Sequence, residues 1–488
     1  MYLKDVLSGV NFRTKSDLPG IEVKGVKDDS RSVRSGDMFV AVKGYSLDGH
    51  KFIDDAVRKG AKVIVSEEIK DAPKTAAKIL VDDARAALPI IAGNFYGHPS
   101  AKLKTIGVTG TNGKTTITYI IENIIKSAGK DTGVIGTINY RLGDRVLPAK
   151  NTTPGSLQLQ SMLADMVKMG LGFAVMEVSS HSLDQGRVEG ISFDVGIFTN
   201  ITAEHLDYHK TIANYFKAKA RLFDRLKEGG VAVLNIDDKK VAVLKKSIRK
   251  KVLTYGIGPK ADVRAEGIKL SLDGSRFKVV MPEGGFNIHT RLVGRHNISN
   301  ILAGIAASYA LGIERPALIK GAAFLSFCVP GRLEEVDAGQ PFKVLVDYAH
   351  TEDALYNILS LLSEVAGRRI ITVFGCGGNR DRKKRPLMGK VACEFSHRAI
   401  ITSDNPRFED PRAIIDEIEK GVKGIFSNYD IAPDRRQAIE KALMLAEDGD
   451  IVVIAGKGHE NYQIIKDKVI PFDDREVARE ILGKARCL

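Results

Sequence analysis

The sequence predicts an α/β protein of three domains, and three observations lead to that prediction. The chain has 488 residues, whereas a single domain usually has about 150. Short apolar runs typical of buried strands alternate along the chain with segments that have helical spacing. Residues that break helices and strands interrupt this alternation at His98-Pro99-Ser100 and at Pro330-Gly331. We therefore place the domains at residues 1–99, 100–330 and 331–488.

The first block, residues 1–99, predicts a small α/β domain. Its β-rich runs at residues 38–42, 61–65 and 79–81 are short, and turn-rich or helical segments join them. The Pro-containing breaker at its end then leads into a new strand.

The middle block predicts a mostly parallel sheet. Its apolar runs at residues 173–178, 194–199 and 231–235 are continuous, which is typical of strands that helices cover on both faces. The most apolar long stretch, residues 298–313, contains serine, asparagine and glycine. It therefore predicts a buried helix rather than a membrane span.

The last block restarts the alternation, with apolar runs at residues 344–347, 369–374, 398–403 and 451–455. Each run ends in polar or glycine residues. Ligands of open α/β sheets bind beyond the carboxyl ends of the strands. We therefore expect a binding site at these strand ends, which are Asp347 and the segments 375–385, 404–407 and 456–460.

The composition excludes several classes of protein. Four cysteines without a CxxC pair argue against a disulfide framework or zinc knuckle, and for reduced thiols in a cytoplasmic protein. No apolar run reaches 18 residues, so we expect no stable membrane insertion. The net charge of +13 fits nucleic acid, an acidic membrane or an anionic small molecule. Because only residues 380–385 are densely basic and no nucleic-acid-binding pattern is evident, we expect no nucleic-acid partner.

Residues 106–116 predict a phosphate-binding loop between a strand and a helix. Its glycines let backbone N–H groups approach phosphate oxygens, and the helix N-terminus favours anions. Val108 stands where the strict P-loop template has its first glycine.

Together, the three blocks predict a central P-loop-type, mostly parallel sheet between a small N-terminal α/β domain and a C-terminal Rossmann-like α/β domain. The expected ATP-binding residues are Gly110, Thr111, Asn112, Gly113, Lys114, Thr115 and Thr116.

The segment from Gly110 to Thr115 resembles the shortened loop of the Mur ligase superfamily, which includes folylpolyglutamate synthetase. Members form an acyl phosphate from a substrate carboxylate and the γ-phosphate of ATP, and an amine then displaces the phosphate. The resemblance implies an ATP-dependent amide ligase. A nucleotide-switch protein that binds nucleic acid is the alternative from another class.

Three further residues are candidates for a magnesium site with Thr115. Glu177 ends a strand and offers oxygen ligands, although such a residue is more often only solvated. Taken alone, His205 would be structural and Lys219 would face solvent. The resemblance instead implies that Glu177 and His205 hold a metal ion and that Lys219 is carbamylated. A desolvated neutral amine can capture CO₂, and the resulting carbamate can bind metal.

The resemblance also assigns three residues to ATP from outside the loop. It implies that Asn297 contacts adenine, that Arg332 reaches the phosphates across the domain boundary, and that Asp347 lies near the ribose and phosphates. Taken alone, Asn297 could cap its helix and Arg332 could be a surface residue. Lys114, two Mg²⁺ ions and Arg332 would neutralise charge during phosphoryl transfer, and domain closure would exclude water.

The tetrapeptide Asp404-Asn405-Pro406-Arg407 predicts only a turn when taken alone. It resembles the motif of the Mur ligases that select meso-diaminopimelate. An arginine fork suits the distal carboxylate of this amino acid and an aspartate its distal ammonium. Lysine-adding relatives lack that arginine. Arg380, Gly456 and Glu460 match family positions that complete the same pocket.

The resemblance further implies UDP-N-acetylmuramoyl-L-alanyl-D-glutamate as the acceptor, a role in peptidoglycan synthesis, and a monomeric protein. Ser30, Tyr45, Ser46 and Leu47 would bind the UDP group, and Asn112, Thr152, Thr153, Ser179, Gln185 and Arg187 the rest of the acceptor. Lysine-adding Mur ligases and folylpolyglutamate synthetase are the alternatives within the superfamily. Three positions depart from the family pattern, namely Lys210 for Gly, Glu352 for Pro and Asn379 for Asp.

Overall fold

The protein is represented by a computed structural model that describes residues 1–18, 20–44, 47–68, 75–323 and 329–485. Three sheets of five, eleven and six strands follow one another along the chain, and a separate two-stranded hairpin lies near the C-terminus. This confirms the predicted α/β architecture. The domain boundaries at residues 99 and 330 stay predictions. Within the described ranges, no helix has both the length and the apolar content needed to cross a membrane.

The N-terminal sheet has the strand order β1-β5-β4-β3-β2, and only β1 runs antiparallel to its neighbour. The three predicted runs form β3, β4 and β5. Its elements are α1 (Leu3–Val6), β1 (Phe12–Arg13), β2 (Val26–Lys27), β3 (Met38–Val40), α2 (Ile53–Arg58), β4 (Val63–Ser66), β5 (Ala77–Val81) and α3 (Ala84–Tyr96).

The central sheet begins at Lys104 and is parallel in its middle, from β7 through β10, β6, β11, β12 and β13 to β14. Both edges are antiparallel. Its strands are β6 (Lys104–Thr109), β7 (Thr132–Ile135), β8 (Asn139–Leu142), β9 (Arg145–Pro148), β10 (Phe173–Glu177), β11 (Phe193–Phe198), β12 (Leu226–Asn235), β13 (Lys251–Gly256), β14 (Val263–Ser271), β15 (Gly274–Met281) and β16 (Gly284–Thr290).

Helices cover the parallel part of this sheet on both faces. The isoleucines of α4 pack against the predicted buried helix, α10, in one continuous core. The helices are α4 (Lys114–Ser127), α5 (Ser156–Lys168), α6 (Ser180–Asp184), α7 (Leu206–His209), α8 (Ile212–Ala220), α9 (Lys239–Ala242), α10 (Arg295–Ala310) and α11 (Arg315–Ala323).

The C-terminal sheet has the order β17-β18-β22-β19-β20-β21, with all strands parallel except β17. A core lies on each face. The elements are β17 (Glu334–Glu335), β18 (Lys343–Asp347), α12 (Glu352–Ala366), β19 (Ile370–Phe374), α13 (Lys384–Phe395), β20 (Arg398–Ile401), α14 (Pro411–Glu419), β21 (Tyr429–Ile431), α15 (Arg435–Leu445), β22 (Ile451–Ala455), the hairpin β23 (Tyr462–Ile465) and β24 (Lys468–Pro471), and α16 (Asp474–Ala485).

Two of the alternatives that the sequence left open do not hold. Gly294, not Asn297, precedes the first turn of α10, and the Asn297 side chain instead donates to the Val293 carbonyl at 2.9 Å. Lys219 does not face solvent, because the end of α8 packs it against the phosphate loop with a side chain that is 2% exposed.

Candidate active site

The phosphate loop joins β6 to α4 and contains two glycines that the backbone requires. Gly110 and Gly113 have φ angles of 137° and 89°. A Cβ atom on Gly110 would lie 1.8 Å from Thr199 Oγ1, and one on Gly113 would lie 2.4 Å from Asn300 Oδ1. No other residue type can take these positions without moving the loop.

The end of β11 holds the loop in place. The backbone N–H of Thr111 donates to the Asn200 carbonyl at 2.9 Å, and that of Asn112 donates to Asn200 Oδ1 at 2.9 Å. Thr199 Oγ1 donates to the Asn112 carbonyl at 2.6 Å. Sequence reasoning missed Asn200, although it follows a predicted strand. With the loop fixed, the first N–H groups of α4, at Lys114, Thr115 and Thr116, have no partner within the helix and can face an anion.

Lys114 folds back over the loop. Its Nζ donates to the carbonyls of Gly110 at 3.0 Å and Thr111 at 2.7 Å. Burial lowers the pKa of Lys114, the nearby Glu204 and Glu177 carboxylates oppose that shift, and Arg332 adds to it. Arg332 begins the third domain, so its charge acts on the phosphate loop from across the domain boundary.

Thr115 and Glu177 meet at the carboxyl ends of β6 and β10. Thr115 Oγ1 donates to Glu177 Oε1 at 2.9 Å, and the backbone N–H of Thr137 donates to the same oxygen at 2.8 Å. Both side chains are buried. A hydroxyl and a carboxylate are hard oxygen donors of the kind that Mg²⁺ prefers, so this pair suits the predicted metal.

Lys219 is buried beside the same loop without an anionic partner. Its Nζ donates to the Gly110 carbonyl at 2.7 Å and lies 4.5 Å from the centre of the Tyr215 ring. In the described part of the chain, no carboxylate lies within ion-pair distance of it. Burial, reinforced by Lys114, holds the pKa of Lys219 well below its usual value. A neutral amine at this position is the form that reacts with CO₂.

His205 is partly exposed, with 43% of its side chain accessible to solvent. Its ring centre is 4.8 Å from that of His181, and partial burial lowers its pKa to about 4. Throughout the described ranges, no three His, Cys, Asp or Glu side chains are arranged to hold a metal ion. The predicted set of Thr115, Glu177, His205 and Lys219 therefore depends on modification of the lysine, and it stays a prediction.

Glu204, which sequence reasoning missed, lies between the two larger domains. Tyr215 Oη donates to its Oε2 at 3.2 Å, while His350 Nε2 lies 3.7 Å from its Oε1. Burial opposes ionisation of this carboxyl, but His350, His205 and Lys114 outweigh it and lower its pKa. Its ionised form is thus favoured by Lys114 of the phosphate loop and by His350, which follows β18.

One more contact connects the phosphate loop to the third domain, and bonds within that domain position Arg332. Asn112 Nδ2 donates to Asp353 Oδ2 at 2.7 Å. Asp347 is buried and accepts from the backbone N–H groups of Leu333 and Ala349, both at 2.7 Å. It thereby fixes the turn that carries Arg332, whose guanidinium lies 4.8 Å from the centre of the Tyr348 ring. Burial raises the pKa of Asp347, and Arg332 opposes that rise.

The residues predicted to bind the muramoyl dipeptide adjoin Glu177. Thr153 Oγ1 donates to the Glu177 carbonyl at 2.8 Å, and Thr152 Oγ1 lies 3.1 Å from Thr137 Oγ1. Ser179 caps α6 by accepting from the Ser182 N–H. Arg187 donates to Gln185 Oε1 at 3.0 Å and to the Thr153 carbonyl at 3.1 Å.

The predicted UDP-binding residues are only partly described. Ser30 is buried and its carbonyl accepts from Lys59 Nζ at 3.1 Å, whereas Leu47 is exposed. Tyr45 and Ser46 lie outside the described residues. The role of this segment stays a prediction.

A cluster of mixed charge, called the mixed-charge pocket after its predicted role, lies at the carboxyl ends of the C-terminal strands and comprises Arg380, the 404–407 segment, Gly456 and Glu460. Asn405 Nδ2 donates to Glu460 Oε2 at 2.8 Å. Burial and the neighbouring Arg380 lower the pKa of Arg407, while Asp404 and Glu460 oppose this shift. Burial and Asp404 raise the pKa of Glu460. Two cations and two anions thus share the pocket.

The hairpin β23–β24 and Lys457 complete this pocket, and the sequence analysis missed both. Arg407 has a φ angle of 52°, and its backbone donates to the Ile464 carbonyl at 3.0 Å and accepts from Lys466 N–H at 2.7 Å. Lys457 is fully buried, with Nζ 3.4 Å from Asn405 Oδ1 and 3.5 Å from Glu460 Oε2. The only features of the sequence that could have indicated them are the glycines and charged residues of the 456–460 segment.

Comparison with known proteins assigns the chain to a family. Models of the Mur ligase family catalytic domain, the Mur ligase middle domain and the Mur ligase glutamate ligase domain match residues 22–96, 108–308 and 331–458. A Clostridium tetani protein named UDP-N-acetylmuramoyl-L-alanyl-D-glutamate–2,6-diaminopimelate ligase is 46% identical, with 99% of each chain covered. A Geobacter metallireducens protein of the same name is also 46% identical, over 98% of this chain and 97% of the relative. A solved structure of a ligase with that name superimposes with a TM-score of 0.70 at 34% identity, covering 100% of this chain and 99% of the other. This chain therefore belongs to the Mur ligase family.

Proposed function

We propose that the protein is an ATP-dependent ligase that joins meso-2,6-diaminopimelate to the D-glutamate of UDP-N-acetylmuramoyl-L-alanyl-D-glutamate in peptidoglycan precursor synthesis. The relatives that are 46% identical over almost the whole chain carry the name of this activity.

The mixed-charge pocket is the observation that carries the choice of amino acid. The far end of diaminopimelate bears one carboxylate and one ammonium, and the pocket offers Arg407 and Arg380 together with Asp404 and Glu460. Lysine bears only the ammonium at that end. With lysine bound, no substrate carboxylate would face the guanidinium of Arg407, and the desolvation of that charge would be less well compensated.

The reaction proceeds in two displacements. The D-glutamate carboxylate attacks the γ-phosphorus of ATP, which breaks the bond to the bridging oxygen and gives an acyl phosphate and ADP. The amine of diaminopimelate then attacks the acyl carbon, loses a proton and expels phosphate, which leaves the amide. The loop N–H groups, Lys114 and Arg332 would hold the phosphate oxygens and offset their charge, which is the main requirement of phosphoryl transfer.

Mg²⁺ would be held by Thr115, Glu177, His205 and carbamylated Lys219, and when bound it would neutralise phosphate charge. Two observations support this assignment: the buried pair of oxygen donors at Thr115 and Glu177, and the Lys219 amine, which has no carboxylate partner among the described residues. A carbamate on Lys219 would also place an anion beside Lys114, in a region where the two lysines otherwise repel each other.

Substrate-dependent release of ADP tests the proposal. The acceptor and ATP are supplied with diaminopimelate, with lysine, with a dipeptide of two D-amino acids or with no amine. The mass of the coupled product identifies the amine that was added. We expect amide formation with diaminopimelate and little with lysine. If diaminopimelate gives no more ADP than the reaction without amine, the proposal is wrong; a preference for lysine would assign the chain to the lysine-adding branch instead.

A further inference from the structure

We propose that Arg385 is a positioning residue of the amino-acid pocket, which fixes the loops carrying Arg380 and Arg407 through its bonds to Glu409 and Gly377. The two loops are the β19 loop, residues 375–383, and the β20 loop, residues 402–410. The inference rests on the proposed function, because it concerns how the pocket selects diaminopimelate. Arg385 itself does not touch the substrate.

Arg385 lies in the first turn of α13, and its side chain is 0% exposed. Its Nη1 donates to Glu409 Oε2 at 2.9 Å and to Glu417 Oε2 at 2.8 Å. Its Nη2 donates to Glu409 Oε1 at 3.0 Å and to the Gly377 carbonyl at 3.2 Å. The pair with Glu409 is bidentate, the geometry in which an arginine defines both the position and the plane of a carboxylate.

Glu409 passes this constraint to both loops. It belongs to the β20 loop and accepts a hydrogen bond from the backbone N–H of Asn379 in the β19 loop. Asn379 Oδ1 in turn accepts from the Phe408 N–H at 3.1 Å, and the Gly378 N–H donates to the Asn405 carbonyl at 2.9 Å. Glu409 thus lies where the two loops are tied together.

The backbone of both loops needs such support. Asn379 and Arg407 have φ angles of 51° and 52°, a region that costs a non-glycine residue free energy and persists only where the surroundings determine it. Arg407 Nη1 donates to the Gly378 carbonyl at 2.9 Å, so the orientation of the guanidinium depends on the position of the β19 loop. Loss of the Arg385–Glu409 pair would therefore move the group that selects the amino acid.

The same contacts account for the densely basic segment at residues 380–385. Arg382 pairs with Glu409 at 3.0 Å and Glu417 at 3.5 Å, and Lys384 Nζ donates to the His350 carbonyl at 2.6 Å. With Arg385, three cations of the segment have partners inside the domain. Their arrangement serves the pocket rather than an external polyanion.

Two matched variants test the inference, because Arg385 has two carboxylate partners and only Glu409 accepts a backbone hydrogen bond from the β19 loop. Glu409→Gln weakens the bidentate pair and the link to Asn379, whereas Glu417→Gln removes a partner of similar burial whose contact with the loops is the exposed side chain of Arg382 alone. We expect Glu409→Gln to raise the KM for diaminopimelate about 100-fold, as a displacement of about 1 Å can. The KM values for ATP and the acceptor should not change. Glu417→Gln should stay within about threefold of the wild type.

Two substitutions of Arg385 itself give an independent reading. Arg385→Met should show the full increase in KM, and Arg385→Lys, which keeps the charge but loses the fork, a smaller one. Thermal unfolding identifies any variant that does not fold. Equal KM shifts in Glu409→Gln and Glu417→Gln, or an unchanged KM in Glu409→Gln, would overturn the positioning role while leaving the proposed function intact. A wild-type protein that releases no ADP in response to diaminopimelate would overturn both.

Discussion

Replacing Arg407 with alanine removes one guanidinium from the amino-acid pocket and leaves the backbone there unchanged. The main-chain bonds of residue 407 to Ile464 and Lys466 do not involve its side chain, and alanine can take the same φ angle at a similar cost. A hydrogen bond to a charged group contributes about 1.5–3 kcal/mol, and truncating one partner of a buried charge pair costs about 2–5 kcal/mol. Because the Arg407 side chain is only partly buried, we take about 3 kcal/mol, which corresponds to a roughly 100-fold loss of affinity.

The assay is steady-state release of ADP at saturating ATP and acceptor, with diaminopimelate and then lysine as the varied amine. The KM for diaminopimelate should rise about 100-fold, and the KM for ATP should not change. Lysine lacks the distal carboxylate, so its kinetics should change little and selectivity should fall by the same factor. Arg398→Ala is the control, since Arg398 pairs with Asp430 at the opposite end of β20. Equal losses for both amines, or unchanged kinetics with diaminopimelate, would refute the reasoning.

Three other perturbations have expected outcomes. Lys219→Ala should lose at least about 100-fold in turnover and regain part of it with a short carboxylic acid; full activity without rescue would reject the carbamate. Gly110→Ala should abolish ADP binding measured by calorimetry, because its Cβ has no room, whereas Gly172→Ala, which meets nothing within 4 Å, should bind normally. Arg435→Met leaves the fully buried Asp474 unpaired and should lower the free energy of unfolding by about 3–5 kcal/mol in urea titrations; an unchanged midpoint would contradict this.

The parallel strands could be predicted from sequence because burial on both faces demands continuous apolar runs, as in β10, β11 and β22. The antiparallel edges could not. Strands β15 and β16 mostly alternate buried and exposed residues, so their sequence contains no apolar run longer than three residues. The hairpin β23–β24 is largely exposed and is positioned by its contacts with the β20 loop, which lies far away in sequence.

The residues of the candidate site also divide into those that the local sequence predicts and those that it does not. The glycines and Lys114 of the phosphate loop are encoded locally, since a strand, a turn and a helix suffice to place them. Glu204 and Lys219 are not, because their significance comes from burial created by distant segments. Glu204 meets His350 of another domain, and Lys219 meets the Gly110 carbonyl. No hydrophobic periodicity in the sequence predicts either contact.

The main-chain pairing of Arg407 with the hairpin separates the frame of the pocket from its selectivity. Residue 407 forms an isolated parallel β-bridge with β23, through hydrogen bonds of its N–H and C=O groups alone. A different side chain at position 407 would therefore project from the same backbone conformation. The amino acid that the pocket selects can thus change by exchange of the side chain at position 407, while the backbone pairing that holds this position stays as it is.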